Sequence, residues 1–277
     1  MKDGILIIDK PEGYTSHDVV AKIRKIIGTK KVGHTGTLDP MATGVLVVCV
    51  GAATKLVEHF TCKDKIYEAK VKLGIKTDTA DITGSVIEQT ETKNITVEKL
   101  SEVLKTFLGE QMQVPPKYSS IKVNGMKLYE YARQGIEVKI EPRKIEIYSI
   151  EIIDINEEGK EIYFKVHCSK GTYIRSLCED IATKLGTCGT MSYLRRMKTG
   201  EFDIEKAITI EEINEEKIIP MEKLFDNKIT IEKDLNKLLN GMEIPCDKPD
   251  GLYSLYTNHY IGIGRINDKK LKREIIL

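Results

Sequence analysis

The chain has 277 residues, 41% hydrophobic and 31% charged, a globular composition with room for one large domain and a small one. Its 43 Lys and Arg against 42 Asp and Glu leave a net charge of +1. A basic field over the whole surface is therefore excluded, and a polyanion would have to bind a local patch.

In chain order, Ile5–Ile8 form a short apolar strand, broken at Lys10-Pro11, with a turn at Gly13. Ser16 is placed to cap a helix whose apolar residues are Val19, Val20, Ile23, Ile26 and Ile27, and Gly28 ends it. The loop GHTGTLDPMATG, residues 33–44, holds one carboxylate, Asp39. It runs into VLVVCVG, residues 45–51, the apolar run of a strand buried on both faces, so a rigid element anchors the acid. KIYEAKVKL, residues 65–73, alternates, with Tyr67, Ala69, Val71 and Leu73 on one face. The polar stretch KTDTADITG follows, then a helix over residues 96–108 capped by Thr96. Residues 109–143, with adjacent prolines, three tyrosines and several Lys and Arg, read as a loop-rich insertion. Residues 145–155 and 162–168 are strand-like. SKGTYIRSLCEDIATKLG then returns to helical period, with Ile174, Leu177, Ile181, Ala182 and Leu185 on one face and Gly186 as the stop. Residues 201–216 are acidic. The last stretch, 230–277, carries LYSLY and YIGIGRI and reads as a small β appendage.

Several chemistries are absent from the pattern. The six Cys include no C-x-x-C pair, and a chain of this size without a signal peptide is expected to keep them reduced in the cytoplasm. The Asn94-Ile95-Thr96 triplet is then a chance match to a glycosylation acceptor. The five His, at 17, 34, 59, 167 and 259, include no H-x-x-x-H pair, and neither a G-x-x-x-x-G-K-[ST] loop nor a G-x-S-x-G elbow occurs. Asp39 reads either as a turn former beside Pro40 or as a nucleophile. A magnesium-dependent phosphotransferase would need a further acid close by, and residues 40–44 offer none.

Basic clusters are the positive signal. Lys22, Arg24, Lys25, Lys30 and Lys31 form one; Lys117, Lys122, Lys127 and Arg133, interleaved with Tyr118, Tyr129 and Tyr131, form a second; Arg195, Arg196 and Lys198 form a third. Cations for phosphates and rings for unstacked bases suit RNA, and ordinary solvated charge is the plain alternative. Arg175, in the first turn of its helix, opposes the helix dipole, which suggests an anionic partner. Asp39 is one candidate and Glu179, four residues on, another.

The motifs DKPEGYTS (9–16), KVGHTGTLDPMATGVL (31–46), KIYEAKVKLG (65–74), TDTADITG (77–84), PPKYSSIKVNGMKLYEYAR (115–133), CSKGTYIRSL (168–177) and LRRMKTGEF (194–202) together resemble the TruB-type tRNA pseudouridine synthases. The resemblance implies an α/β (α+β) pseudouridine-synthase core over residues 1–229, with a mixed, mostly antiparallel sheet, flanking helices and the insertion as RNA clamp. A short PUA-like module over 230–277 would follow. It implies isomerisation of uridine 55 in the tRNA T-loop, with Asp39 as nucleophile, Tyr67 stacked on the flipped base and Arg175 paired with Asp39. His34 would fill the gap left by the base, Leu194 would line the pocket, Lys10 would support the loop and Asp81 would help hold the RNA. Lys31, Tyr118 and Lys127 join the RNA-binding set. No metal, redox cofactor, membrane or obligate protein partner is implied, and a cytoplasmic monomer is expected.

Overall fold

The computed structural model describes residues 3–92, 95–156 and 160–277. Asn94 of the glycosylation triplet lies outside them. No helix among the described residues is long and apolar enough to cross a membrane.

Strands β1 (Gly4–Lys10) and β3 (Thr43–Val50) pair antiparallel, with the short β2 (Val32–His34) also on β3. The runs Ile5–Ile8 of β1 and Val45–Val50 of β3 are apolar without a break because both faces are covered. Leu6, Ile8, Leu46 and Val48 pack on helix α1 (Ser16–Ile27) through Val19, Val20 and Ile23. Ile5, Ile7, Val45 and Val47 pack on Phe60 of α2 (Val57–Thr61) and on the C-terminal module. The cap of α1 is Thr15, not the expected Ser16. Thr15 Oγ1 accepts the Asp18 N–H at 3.1 Å while Asp18 accepts the Thr15 N–H at 2.8 Å, a reciprocal box that Ser16 has no acid to complete.

Strand β4 (Lys65–Leu73) shows the expected alternation, and beyond it β5 (Ile75–Thr77) and β6 (Val86–Gln89) form a separate hairpin. After α3 (Val97–Lys105) comes β7 (Gly109–Gln113). The insertion contributes β8 (Lys122–Val123), β9 (Met126–Lys127) and α4 (Leu128–Arg133). Strands β10 (Arg143–Ile155) and β11 (Glu161–Cys168), helix α5 (Ile174–Lys184) and strand β12 (Gly189–Thr199) complete the larger unit, with β13 (Phe202–Asp203) and β14 (Ile219–Pro220) at its margins. The main sheet runs β14-β1-β3-β12-β4-β11-β10-β7, with β2 and β13 off this path. Along it every pairing is antiparallel except β12 with β3. The inward residues of β4 and β11 meet Leu177, Ile181 and Ala182 of α5 and Leu100 and Leu104 of α3. Only this face is roofed by helices, which is why the outward positions carry Glu68, Lys70 and Lys165.

One boundary differs from the sequence reading. Residues 109–113 belong to the core sheet, since β7 pairs with β10 from Gln113↔Arg143 to Gly109↔Ile147. The insertion therefore begins after Gln113. Within the acidic stretch, Ile210 and Ile213 turn inward into the cluster beneath α1.

The C-terminal module is a five-stranded sheet in the order β15 (Lys228–Thr230), β17 (Gly251–Tyr256), β18 (Tyr260–Asn267), β19 (Lys270–Ile276) and β16 (Ile244–Pro245). Helix α6 (Leu235–Leu239) supplies Leu238 to its own core with Leu255, Ile266 and Leu271. Leu252, Ile263 and Ile275 join the cluster that backs β1 and β3.

Candidate active site

The loop carrying Asp39 leads into β3 where that strand meets β12 in parallel, at Arg195↔Thr43 and Arg196↔Gly44. Its backbone is held from three sides. Ser16, released from capping, accepts the Leu38 N–H at 2.9 Å and donates to the Leu38 carbonyl at 3.2 Å. Lys10, fully buried, donates from Nζ to the carbonyls of Pro11 (2.9 Å), Tyr14 (2.6 Å) and Pro40 (3.3 Å). Arg196, also buried, donates from Nε to Val45 O at 2.7 Å and from Nη2 to Gly36 O at 3.0 Å, tying the loop's start to the strand after it. Gly44 lies at φ 100°, and a Cβ there would stand 2.2 Å from Arg196 O, so the crossing admits only glycine.

Arg175, 5% exposed, meets this loop from α5. Its Nε stands 3.0 Å from Asp39 Oδ2, Nη1 donates to Thr79 O at 3.0 Å, and Nη2 donates to Tyr118 O at 2.9 Å. The alternative partner Glu179 pairs with Lys76 instead. Asp81 Oδ2 lies 3.8 Å from Arg175 Nη1, while Asp81 Oδ1 accepts from Thr79 Oγ1 and the Thr83 N–H, each at 3.0 Å. Asp81 is thus 5% exposed, held by its own loop and by Arg175, and it stands in the wall of the cleft over Asp39.

A cleft of about 970 Å³ opens over Asp39, with Tyr67, Leu194, Tyr173 and Arg175 in its wall. Leu194 and Arg196 lie two apart on β12, opposite Ala69 and Tyr67 of β4. Asp39 keeps a third of its side chain exposed, so a free carboxylate edge faces the cleft while its guanidinium partner is sealed. Tyr129, Arg133, Arg143, Lys144 and Lys170 also border the cleft.

Burial sets the electrostatics. It raises the Asp39 carboxyl above its ordinary value; Arg175 and Lys10 oppose this and Asp81 adds to it. Burial also raises the Tyr67 phenol, which stays protonated at neutral pH. It lowers Lys10 to about 8, and lowers His34 to about 4 with help from His17 and Arg196, leaving a neutral ring.

The remaining expected residues divide between the cleft wall and its surroundings. His34 is half-buried, edge-on to His17 at 5.3 Å, with its Nδ1 buried and unpartnered, and it is His17 that lines the cleft. Lys31 is exposed on the loop before β2, outside the cleft wall. Lys127 also stands outside that wall and lies over the Tyr129 ring at 5.4 Å, a ring that Arg133 covers at the same distance. Tyr118 lines the cleft, and its carbonyl binds Arg175. Arg196, read from sequence as part of a surface cluster, is a buried strap. Its spacing of two from Leu194 on a strand was the signal that places both on one face. Among the described residues no three His, Cys, Asp or Glu side chains form a group that could hold a metal ion.

A model of the TruB family pseudouridylate synthase N-terminal domain matches residues 24–174, and one of the tRNA pseudouridylate synthase B C-terminal domain matches residues 175–246. This chain belongs to the TruB family. Relatives named tRNA pseudouridine synthase B share 47% identity in Caldanaerobacter subterraneus, over 98% of this chain and 97% of that one, and 46% in Clostridium kluyveri, over 98% of each. Among solved structures, a Cbf5-Nop10-Gar1 complex matches with a TM-score of 0.70 at 30% identity, over 95% of this chain and 78% of that chain. The archaeal box H/ACA sRNP Nop10-Cbf5 complex matches with a TM-score of 0.69 at 26% identity, over 99% and 85%. The two TruB family matches meet between residues 174 and 175, so the matched segments divide beside Arg175 while the site draws on both.

Proposed function

We propose that this chain converts uridine 55 in the T-loop of tRNA to pseudouridine, with Asp39 as the nucleophile. Pseudouridine synthesis on tRNA, an isomerase activity, follows from its place in the TruB family and from near-full-length relatives named for that reaction. The observation that carries the finer reading is the asymmetry of the ion pair: Arg175 is enclosed by two carbonyls and two carboxylates, while Asp39 keeps an edge open to the cleft.

The reaction breaks the N1–C1′ bond, forms C5–C1′, and moves one proton from C5 to N1. Nothing is added or lost, so one carboxylate suffices, and no second acid is needed to activate water. Asp39 attacks either the ribose C1′ or C6 of the ring after the uridine leaves its stack. Arg175 aims the carboxylate and offsets part of the burial that resists its ionisation. The Tyr67 ring and Leu194 offer an apolar wall for the base, and in this reading Tyr67 assists departure of the C5 proton. His17 and His34, an edge-on pair beside the loop, supply ring surface where the flipped base has left. Arg133, Arg143, Lys144 and Lys170 meet phosphates at the rim, with the insertion closing over the T-arm. In this reading the chain acts as a cytoplasmic monomer without a protein subunit, residues 1–229 carry the chemistry, and the module from 230 acts as a short PUA-like grip on the acceptor arm.

The test is an unmodified tRNA transcript incubated without metal with wild type and with Asp39→Asn, with pseudouridine mapped by position and binding measured in parallel. Modification at position 55 alone, and a mutant that binds without reacting, are the expected results. Binding by both without reaction would make the protein an RNA-folding factor on this scaffold.

A further inference from the structure

We propose that Gln113 is a positioning residue, the fixed point through which movement of the insertion reaches the Asp39–Arg175 pair. The inference rests on the reading of that pair given above. Residues 113–118, the stem of the insertion, touch the start of α5 in a row. Gln113, 4% exposed, accepts the Tyr173 N–H on Oε1 at 2.8 Å and donates from Nε2 to the Tyr173 carbonyl at 3.0 Å. Ser176 Oγ donates to Val114 O at 2.8 Å. Arg175 Nη2 donates to Tyr118 O at 2.9 Å.

The pairing is chemically selective. Tyr173 is the N-cap of α5 in extended geometry, and no side chain caps that helix. A primary amide presents a donor and an acceptor side by side, so one Gln satisfies both backbone groups of the cap residue. The two ends of the stem then differ in anchorage. Gln113 is held in the β7–β10 ladder opposite Arg143. Beyond it, the buried pair Pro115-Pro116 makes a stiff link to Tyr118 and so to the insertion, whose Tyr129 and Arg133 border the cleft.

A pull on the insertion by bound RNA therefore travels along the prolines to the Tyr118 carbonyl and acts on Nη2 of Arg175. With the α5 cap pinned by Gln113, that pull turns the guanidinium against Asp39. Without the pin, the first turn of α5 follows the insertion and Nε leaves Oδ2.

The test compares wild type, Gln113→Ala and Ser176→Ala in single-turnover reactions on saturating tRNA across pH, with tRNA affinity measured separately. Gln113→Ala is expected to slow the chemical step by about tenfold, short of the roughly hundredfold that a full ångström of misplacement costs, and to leave Kd within about twofold. Its acid limb is expected to move to higher pH, since Arg175 holds Asp39 less well. Ser176→Ala removes one bond of the row, is expected to show both signatures at roughly threefold, and decides the matter alone if Gln113→Ala does not fold. Unchanged rates, or losses shared equally by rate and affinity with an unmoved acid limb, overturn the proposal. Asp39→Asn runs beside them: if it turns over, the reading of the pair fails, and if it is inactive while both stem variants match wild type, only this inference falls.

Discussion

Ser16 Oγ grips both backbone groups of Leu38, accepting at 2.9 Å and donating at 3.2 Å, so the first turn of α1 holds the residue before Asp39. Ser16→Ala leaves that N–H and carbonyl buried without the hydroxyl, which costs roughly 1–2 kcal/mol. Denaturant unfolding is expected to show that loss. Turnover is expected to fall more than tRNA affinity, because the bond sets the loop and not the RNA surface.

Arg175→Lys tests the fork. One ammonium cannot reach Asp39 Oδ2, Thr79 O and Tyr118 O in the directions the guanidinium serves. The charge survives, so affinity for tRNA is expected to stay within a few-fold while turnover drops by about a hundredfold. Equal losses in both would remove the aiming role.

The pH dependence follows from the carboxylate. Asp39 must be ionised to attack, and burial raises it above its ordinary 3.8. The acid limb of the single-turnover profile is therefore expected above that value. Arg175 pulls the other way, so Arg175→Gln is expected to shift the limb further up. A limb at or below 3.8 in wild type would contradict the burial of the acid.

Lys10 gives a pH effect on stability. Its folded value, about 8, lies below its ordinary 10.5, so between those limits the unfolded chain holds more protons. The folded state therefore gains stability as pH rises from 8 to 10.5 and carries the full cost of charging Lys10 below 8. Lys10→Met lacks this slope. The difference in unfolding free energy between wild type and Lys10→Met is expected to move in favour of wild type across that window, and a flat difference would place the ammonium in water.

Much of this was legible in the residues themselves. The unbroken apolar runs of β1 and β3 announce strands covered twice, and the alternation in β4 and β11 announces strands covered once. The lone acid of residues 33–44 stood out because the loop's one other ionisable side chain is His34. Other features depend on partners distant in sequence. Strand β7, GEQMQ, buries only Gln113, so no apolar period marked it. Ser16 and Thr15 are equal as capping types, and the acid at Asp18 decides between them. Arg196 carries a charge that composition assigns to the surface, yet two carbonyls on neighbouring loop and strand take it inside.

The packing of Leu252, Ile263 and Ile275 against Ile5, Ile7 and Val45 gives the C-terminal sheet a second duty. It is the back wall of the strands on which the Asp39 loop is hung. A chain cut at residue 229 would uncover that wall, so its removal is expected to destabilise the main sheet as well. Substitutions on the inner face of this module are accordingly felt by the main sheet, through Leu252, Ile263 and Ile275.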